Sequence, residues 1–322
     1  MCNAMIDYIF ILIGLALLYK GADWFVEGAS ALAKHFGISS LVIGLTVVAF
    51  GTSMPELVVN TFASIQGNSD VAFGNIVGSN IINLLLILGL TGIIAPLIVQ
   101  KSTVWKEIPF ALLAVLVLAT MSNKIMLAND SENILTRADG IILLFFFSIF
   151  LYYIFETIKN STNGSSDNIK EHSLTKISVM LIAGFIFLVV GGKLTVSGAV
   201  SIARQMGISE LLISSTIVAA GTSLPELVTS VAAALKKEMD ISVGNILGSN
   251  IFNIFFIMGI SATISPLTVP LGINVDLIVL AIATLLFFVF MFTGEKHKFE
   301  KWEALIFLGI YVSYTLFIIH RG

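Results

Sequence analysis

The chain has 322 residues, a formal net charge of −3 and a single cysteine, Cys2. Charged residues make up 11% of it and hydrophobic residues 57%, with a mean hydropathy of +1.00, whereas soluble domains carry about 25% charged residues. This composition predicts an all-α polytopic membrane protein and gives no indication of a nucleic-acid partner. One cysteine excludes an intramolecular disulfide and argues against a thiolate metal site. The N-terminus lacks the basic region and cleavage pattern of a signal peptide, so the first apolar run is predicted to remain as an anchor.

Ten segments are long and apolar enough to be transmembrane helices, which need about 20 apolar residues. They are residues 5–33, 39–65, 71–97, 105–122, 138–158, 174–203, 210–234, 241–266, 274–293 and 301–319. A polar linker at 159–173 divides the chain into a first half, 1–158, and a second half, 174–322, with five segments each. The Phe-rich fifth and ninth segments are predicted to face lipid.

The second and third segments recur, at a constant offset of 170, as the seventh and eighth. Residues 43–57 and 213–227 are identical at ten of fifteen positions, and residues 74–83 and 244–253 at eight of ten. A gap-free repeat of this kind indicates a duplicated structural unit. The four motif helices are therefore predicted at 39–65 and 71–97 in the first half and at 210–234 and 241–266 in the second.

The Lys and Arg residues of the connecting loops are unequally divided between the two sides of the predicted membrane. Eleven lie in one set of loops and four in the other set together with the C-terminus. Because positively charged loops stay inside the cell, the linker is predicted to be cytoplasmic and both termini extracellular. Five segments per half is an odd number, so the halves insert in opposite directions. Such inverted repeats are typical of secondary transporters with a binding site near the membrane midplane.

Each copy of the first motif places a carboxylate beside a helix-breaking proline: Pro55 with Glu56, and Pro225 with Glu226. Proline removes an N–H donor, so carbonyl groups near residues 49–51 and 219–221 are expected to lose their helix partners. By helical spacing, the side chains that share a face with the glutamates are Ala49, Thr52 and Ser53 in the first copy and Ala219, Thr222 and Ser223 in the second. The second motif likewise aligns Asn75, Ser79 and Asn83, and then Asn245, Ser249 and Asn253.

These groups offer only oxygen ligands and a net charge of −2, which suits a hard cation. Calcium takes 6–8 oxygen ligands in flexible geometry, and sodium could use the same groups. Two facing glutamates cannot both stay ionised in a low dielectric without a cation or a proton between them, which favours exchange over leak. Asn75, Asn80, Asn245 and Asn250 are equally consistent with ligands and with interhelical hydrogen bonds.

The motifs Gly-Thr-Ser-Met-Pro-Glu at 51–56 and Gly-Thr-Ser-Leu-Pro-Glu at 221–226 resemble the two repeats of the cation/calcium exchanger superfamily. The Gly-Asn-x-x-Gly-Ser-Asn runs at 74–80 and 244–250 complete the resemblance, which is closest to the prokaryotic sodium/calcium antiporter branch. The proton/calcium branch typically reads Gly-Asn-Ala-x-Glu, so the resemblance argues against proton coupling. It also implies that the first and sixth helices slide as a pair over an eight-helix core.

The resemblance implies a role for each motif position. Calcium would be bound by Glu56, Glu226, Thr52 and Thr222. Sodium would use Ser53, Ser79, Ser223, Ser249, the two glutamates and the carbonyls of Ala49 and Ala219. Asn83 and Asn253 would complete a central position. Potassium-dependent and several prokaryotic relatives carry Asp where this chain has Asn253, which argues against potassium dependence.

The leading prediction is a calcium/sodium antiporter of the cell membrane that is not an enzyme and needs no cofactor or obligatory protein partner. Its partners would be calcium, sodium and membrane lipid. The alternatives are a proton- or potassium-coupled calcium antiporter and, more remotely, a passive cation channel. Paired carboxylates that close on the ion are unfavourable in a channel, because tight binding blocks conduction. An intramembrane hydrolase ranks last, since no nucleophile–His pair or zinc triad is evident.

Overall fold

A computed structural model of the chain describes residues 2–128, 131–160, 172–207 and 219–321. These residues are almost entirely helical. The helices are α1 (Cys2–Phe36), α2 (Ser40–Thr52), α3 (Met54–Ile65), α4 (Ser69–Ile94), α5 (Lys101–Met121), α6 (Lys124–Ala128), α7 (Arg137–Asn160), α8 (Leu174–Gln205), α9 (Ala219–Thr222), α10 (Leu224–Leu235), α11 (Met239–Ile264), α12 (Ile273–Phe290) and α13 (Lys301–Arg321). The short strands are β1 (Leu97–Ile98), β2 (Ile134–Leu135), β3 (Leu267–Thr268) and β4 (Lys298–Phe299).

Eight of the described helices are long and apolar enough to cross a membrane, or nine if α2 and α3, which meet at a 48° bend, count as one span. These nine coincide with nine of the ten predicted segments. The remaining segment, 210–234, is described only from Ala219 onward, where α10 is a shorter apolar helix. Most of the linker predicted at 159–173 lies outside the described residues. The ten-helix layout and the boundaries of the two halves therefore stay predictions.

Helices α4 and α11 form the centre of the molecule and are the most buried of the candidate spans. Each contains a π-helical turn directly after its Gly-Ser-Asn motif, at Ile82–Ile87 in α4 and at Phe252–Met258 in α11. A third π-helical turn, Gly44–Val48, lies in α2. Such turns occur frequently at functional sites. The turn in α4 contains Asn83, and the turn in α11 contains Asn253.

Two antiparallel ladders connect the first half of the chain to the second. β1 pairs with β4, placing Leu97 opposite Phe299, and β2 pairs with β3, placing Leu135 opposite Leu267. β1 follows α4 just as β3 follows α11, and β2 precedes α7 just as β4 precedes α13. Each strand thus pairs with the non-equivalent strand of the other half, so the connection between the halves is reciprocal.

Helices α1 and α8 pack side by side and run antiparallel. Near one end Ser201 donates to Asp7 (2.7 Å), and near the other His172 contacts Glu27 (3.0 Å). Between these ends the backbones come close, since a Cβ added at Gly191 would lie only 2.8 Å from the Gly14 carbonyl oxygen. Small residues permit this approach between membrane helices. The two helices therefore form a closely joined pair.

An ion pair connects the α1–α8 pair to the rest of the molecule. The Lys236 ammonium, just after α10, lies 2.7 Å from the Asp23 carboxylate of α1, and Lys20 lies 3.2 Å from the same residue. The pair also makes apolar contacts with the core, for example between the Phe25 ring and Gly51 of α2.

The predicted lipid-facing role of the Phe-rich fifth segment is wrong for one face of α7. Phe147 and Phe150 are buried and pack on Phe252 of α11, with ring centroids 4.9 and 6.4 Å apart. Phe145 and Phe155 of the same helix are exposed. The ninth segment shows the same division, since Phe287 of α12 is fully buried. Hydropathy alone cannot separate the two faces, because both are apolar.

Candidate ion-binding site

Two broken helices bring the first motif and its repeat into the core. The breaks occur at Ser53 (φ −84°, ψ 7°), between α2 and α3, and at Ser223 (φ −87°, ψ 5°), between α9 and α10. Pro55 and Pro225 lie in the first turns of α3 and α10, where a helix leaves its N–H groups unpaired in any case. The prolines therefore start new helices rather than kink existing ones.

The expected loss of a helix partner is wrong for the Ala49 carbonyl. It accepts a hydrogen bond from the Ser53 N–H (3.0 Å) and lies 3.3 Å from the Thr52 hydroxyl. Thr52 has a single hydroxyl proton, which the Asn245 amide oxygen can also accept at 3.0 Å. One lone pair of the Ala49 carbonyl can therefore turn to an ion, and its role as a sodium ligand stays a prediction. Its counterpart Ala219 lies in α9, which directly precedes the second break.

Glu56 and Glu226 lie at the starts of α3 and α10 and are 0% and 1% exposed. Ser79 donates to Glu56 Oε1 (3.3 Å), and Ser53 donates to Glu226 Oε1 (3.0 Å). The predicted calcium ligands cross over between the halves in the same way: Thr222 faces Glu56, and Thr52 faces Glu226. The two carboxylates are close enough to interact electrostatically. The structure thus brings both acids into one buried cluster in which each half contacts the acid of the other.

Six buried oxygen atoms of the motifs have no hydrogen-bond partner among the described residues. They are Oε2 of Glu56 and Glu226, Oγ of Ser223 and Ser249, and Oδ1 of Asn83 and Asn253. Buried polar atoms nearly always have a partner, so such a set fits a cation that binds through oxygen. No group of three or more His, Cys, Asp or Glu side chains in the described ranges could hold a metal ion. A cation at this site would therefore need hydroxyl and amide oxygens beside the two carboxylates.

Asn83 and Asn253 are oriented by hydrogen bonds across the interface between α4 and α11. Asn83 Nδ2 donates to Asn250 Oδ1 (3.0 Å), and Asn253 Nδ2 donates to Asn80 Oδ1 (2.9 Å). Because the nitrogen of each amide is engaged in this way, its oxygen is left to accept from another group or to bind an ion. This geometry fits the predicted central position, which carries no carboxylate in this chain.

Asn80 and Asn250 join the two central helices instead of offering ligands. Each donates from Nδ2 to the backbone carbonyl of the other, at 3.1 and 3.3 Å. Their amide oxygens are the acceptors just described. Of the two roles left open by the sequence, this arrangement favours interhelical hydrogen bonding for both residues.

Asn75 and Asn245 position the glutamates, with help from two residues that the sequence reasoning missed. Asn75 Nδ2 lies 2.7 Å from Asn60 Oδ1, and Asn245 Nδ2 lies 2.9 Å from Ser230 Oγ. Asn60 and Ser230 are separated by the repeat offset of 170 and lie four residues after the glutamates. That spacing puts them on the same helix face as the acids, and it is a signal that could have found them.

A cavity of about 470 Å³ adjoins the carboxylate cluster, between α3, α4, α12 and α13. Asn75, Ser79 and Thr222 line the part near the site, and Asp276 and Arg321 line the part near the end of α13. The cavity therefore leads from the buried cluster toward the C-terminal end of the last helix.

The chain is similar to known antiporters and exchangers along nearly its whole length. The chain is 38% identical to the putative antiporter CaxA of Alkalimonas amylolytica, over 96% of this chain and 98% of that protein. It is 31% identical to the sodium/calcium exchanger MaX1 of Methanosarcina acetivorans, over 98% and 99% of the two chains. A solved structure of the sodium-calcium exchanger NCX_Mj, soaked with 10 mM Na⁺ and zero Ca²⁺, superposes with a TM-score of 0.81 at 36% identity and covers 96% of this chain and 97% of its own.

The family model described as sodium/calcium exchanger protein matches residues 6–156 and 176–320, which is nearly the whole chain. The relatives just described are antiporters or exchangers by name, not enzymes. The chain is a multi-pass membrane protein, and it belongs to the sodium/calcium exchanger protein family.

Proposed function

We propose that this protein is a secondary active antiporter that exchanges calcium for sodium across the cell membrane. Transport occurs by alternating access at the all-oxygen site, near the membrane midplane. Calcium and sodium are its cargo, and no cofactor or obligatory protein partner takes part. The names of its relatives support these ions, because MaX1 and NCX_Mj are both called sodium/calcium exchangers.

The crossed contacts of Glu56 and Glu226 are the observation that carries this proposal. Ser53 and Thr52 of the first half contact the acid of the second, and Thr222 of the second half faces Glu56. Burying two carboxylates together without a counter-charge is strongly unfavourable. The cluster is therefore stable only when it holds cations or a proton, so ions are exchanged and not released to one side without replacement.

The ligand assignment follows the motif positions. Calcium binds to both carboxylates and to the threonine hydroxyls, which reach each acid from the opposite half. Sodium ions use the serine hydroxyls and the carbonyl groups at the two helix breaks. The calcium ligands are Glu56, Glu226, Thr52 and Thr222. The sodium ligands are the two glutamates with Ser53, Ser79, Ser223, Ser249, Ala49 and Ala219. Asn83 and Asn253 lie at the central position.

The relation between equivalent helices supports two inverted repeats. α1 and α8 are equivalent and run antiparallel, with Asp7 beside Ser201 and Glu27 beside His172. α4 and α11 are also equivalent, and their cross-contacts and the two ladders are reciprocal. Ten spans in two inverted halves, with both termini extracellular, account for this arrangement.

The burial of the acids argues against the channel alternative. Glu56 and Glu226 are enclosed by hydroxyl groups, and a conducting pore needs sites that an ion can leave easily. A proton- or potassium-coupled antiporter is the remaining alternative. The amides of Asn83 and Asn253 give it no third carboxylate at the central position.

Calcium flux into proteoliposomes tests the proposal. We expect saturable calcium uptake that requires an opposed sodium gradient and does not change when potassium is added. Glu56→Gln and Glu226→Gln should each abolish this uptake, whereas Glu132→Gln, at an exposed position, should leave it unchanged. Uptake that follows the calcium gradient alone would establish a channel, and normal exchange by either site variant would refute a shared site.

A further inference from the structure

The cavity beside the site contains one acid and one base. Among its described lining residues, Asp276 is the only carboxylate and Arg321 the only guanidinium. Asp276 lies in the first turn of α12, and its side chain is 9% exposed. Arg321 lies in the last turn of α13, and its side chain is 36% exposed. The pair therefore marks the place where the cavity meets the outside.

The Arg321 guanidinium is held by oxygen atoms. Its Nη1 and Nη2 donate to Oδ1 and Oδ2 of Asp276, both at 3.2 Å, and Nη1 also lies 3.2 Å from the Gly272 carbonyl oxygen. The Tyr314 hydroxyl donates to Asp276 Oδ1 at 3.0 Å. A positive group thus occupies a small cradle made of a carboxylate and a carbonyl, and the Tyr314 phenol oxygen adjoins this cradle through its hydrogen bond to the carboxylate.

We propose that Asp276, the Gly272 carbonyl and Tyr314 form an entrance site for calcium. The guanidinium of Arg321 occupies this site between transport events, and an incoming ion displaces it before moving along the cavity. This inference rests on the proposed function, because it supplies the ion to the buried carboxylates.

The number of oxygen ligands at the entrance site is typical of weak, temporary calcium binding. The cradle and the Tyr314 hydroxyl together provide four oxygen atoms, whereas calcium takes 6–8, so water completes the shell and the ion stays partly hydrated. Sodium can bind the same oxygens, but with half the charge it displaces the guanidinium less readily.

The arginine keeps the cradle neutral when no ion is present. Removing the partner of a buried carboxylate is strongly destabilising, so an acid at this position needs a positive neighbour at all times. The Arg321 guanidinium is attached to the last turn of α13 and is partly exposed. It can therefore move away from Asp276 without disturbing the core. The bidentate pair is also specific in geometry, since lysine cannot reproduce the fork.

The first half of the chain provides an internal comparison. The Tyr153 hydroxyl donates to Glu107 of α5, which corresponds in the fold to the Tyr314–Asp276 pair. There the neighbouring base, Lys106, lies over the Tyr153 ring (5.4 Å), and Glu107 does not line the cavity. The acid–tyrosine pair is thus common to both halves, while only the pair of the second half is joined by a bidentate arginine and lines this cavity.

Terbium(III) binding in detergent tests the entrance site without relying on transport. Tb³⁺ replaces calcium at oxygen sites, and its luminescence is excited through a nearby tyrosine. In a Glu56→Gln/Glu226→Gln background, which disables the buried site, we expect Arg321→Gln to raise Tb³⁺ affinity about threefold or more, by removing the tethered competitor. Asp276→Asn should remove this binding, and Tyr314→Phe should lower the sensitised emission. Arg137→Gln, which removes an exposed base at the start of α7, should change neither.

The proposal is overturned if Asp276→Asn leaves Tb³⁺ emission unchanged in the Arg321→Gln background. If this variant fails to fold, Arg321→Gln against Arg137→Gln decides alone, since equal affinities would also overturn the proposal. Because the background carries no functional transport site, these outcomes do not bear on exchange itself. Absence of sodium-dependent calcium uptake by the unmodified protein would instead refute the proposed function, whatever Tb³⁺ does.

Transport kinetics provide the second readout. With calcium applied on the side of the C-terminus, Arg321→Gln should lower KM about threefold or more with little change in kcat, and Asp276→Asn should raise KM. Glu132→Gln controls for loss of a surface carboxylate. A raised KM for Arg321→Gln would show that the pair is only a structural clamp and would overturn the proposal.

Discussion

Backbone hydrogen bonds from asparagine set the position of each carboxylate at the residue scale. Asn75 Nδ2 lies 3.4 Å from the backbone oxygen of Glu56, and Asn245 Nδ2 lies at the same distance from that of Glu226. Each asparagine also reaches the hydrogen-bonding residue one turn beyond the acid, Asn60 or Ser230. The asparagines thus fix the backbone of each glutamate, and the carboxylates remain directed toward the shared cluster.

Removing the support at Asn60 should weaken the site without touching a ligand. Asn60→Ala leaves the half-buried Asn75 amide without its shortest partner and should lower the free energy of unfolding by about 1–3 kcal/mol. Asn60→Ser, which copies the residue found in the second half, should lose less. Thermal unfolding in detergent and the KM for calcium measure both effects. The exposed Gln66→Ala serves as control, and equal stability of the alanine and serine variants would contradict this reasoning.

Adding a third acid at the central position should make exchange sensitive to pH. Asn253→Asp adds a carboxylate at the proposed central position of the site that holds Glu56 and Glu226, and neighbouring acids favour uptake of a proton. We expect calcium transport by this variant to fall more steeply on acidification than transport by the unmodified protein. Gln66→Asp, an acid placed on the surface, is the matched control. An unchanged pH profile for Asn253→Asp would count against Asn253 lining the site.

The duplication of the motif is what marks the candidate ligand residues in the sequence. Glu56, Thr52 and Ser53 stand out once their copies appear at the repeat offset. Asn60 was missed because its copy is Ser230, so no identity marks the position. The direction of an amide, such as that of Asn83, depends on a partner in another helix and cannot be obtained from spacing.

At the scale of single elements, the breaks and wide turns place the ligands. α2 ends and α3 begins at Ser53, two residues before the proline that the sequence identifies as the breaker. The π-helical turns in α4 and α11 have no clear sequence signal, because apart from Asn83 and Asn253 their residues are ordinary apolar ones. Likewise, the buried face of α7 is as apolar as its exposed face, so only packing reveals it.

The close approach of α1 and α8 should depend on their glycines. A Cβ at Gly191 would lie 2.8 Å from both the Gly14 oxygen and the Leu18 nitrogen, so Gly191→Ala should separate the helices and lower the melting temperature and the exchange rate. Gly309→Ala, on an exposed face of α13 with nothing within 4 Å, should be neutral or stabilise the helix by up to about 1 kcal/mol. Thermal unfolding of both variants checks this, and equal effects would refute a packing role.

At the scale of the whole molecule, the closely joined α1–α8 pair is distinct from the core that carries the acids. Its internal contacts run along both helices, from Asp7 with Ser201 to Glu27 with His172. The ion pair between Asp23 and Lys236 connects it to the core. If the pair slides during transport, the contacts within it persist and the ion pair must break.

Cross-linking distinguishes these two kinds of contact. In a Cys2→Ser background, joining Asp23→Cys to Lys236→Cys with a short thiol reagent should stop sodium-dependent calcium uptake. Joining Asp7→Cys to Ser201→Cys, within the pair, should leave uptake intact. Uptake that survives the first cross-link, measured after confirming complete reaction, would exclude sliding of α1 and α8 over the core.

The division into two related halves is predictable from the offset of 170 and from the odd number of segments in each. The crossed ladders are not, since two-residue strands such as β1 and β4 are too short to leave a pattern. The paired strands β1 and β4 lie about 200 residues apart in the chain and β2 and β3 about 130, and only the assembled helices bring them together.

Those ladders have a consequence for biosynthesis. When the ribosome has finished α7, β1 and β2 have both been made, but the strands with which they pair have not yet been synthesised. β2 can pair with β3 only after α11 has been synthesised. β1 can pair only after β4, which directly precedes α13, has been made. Both strands of the nascent first half therefore stay unpaired until the second half is made, and two halves synthesised together as separate polypeptides should yield more folded protein than either half synthesised alone.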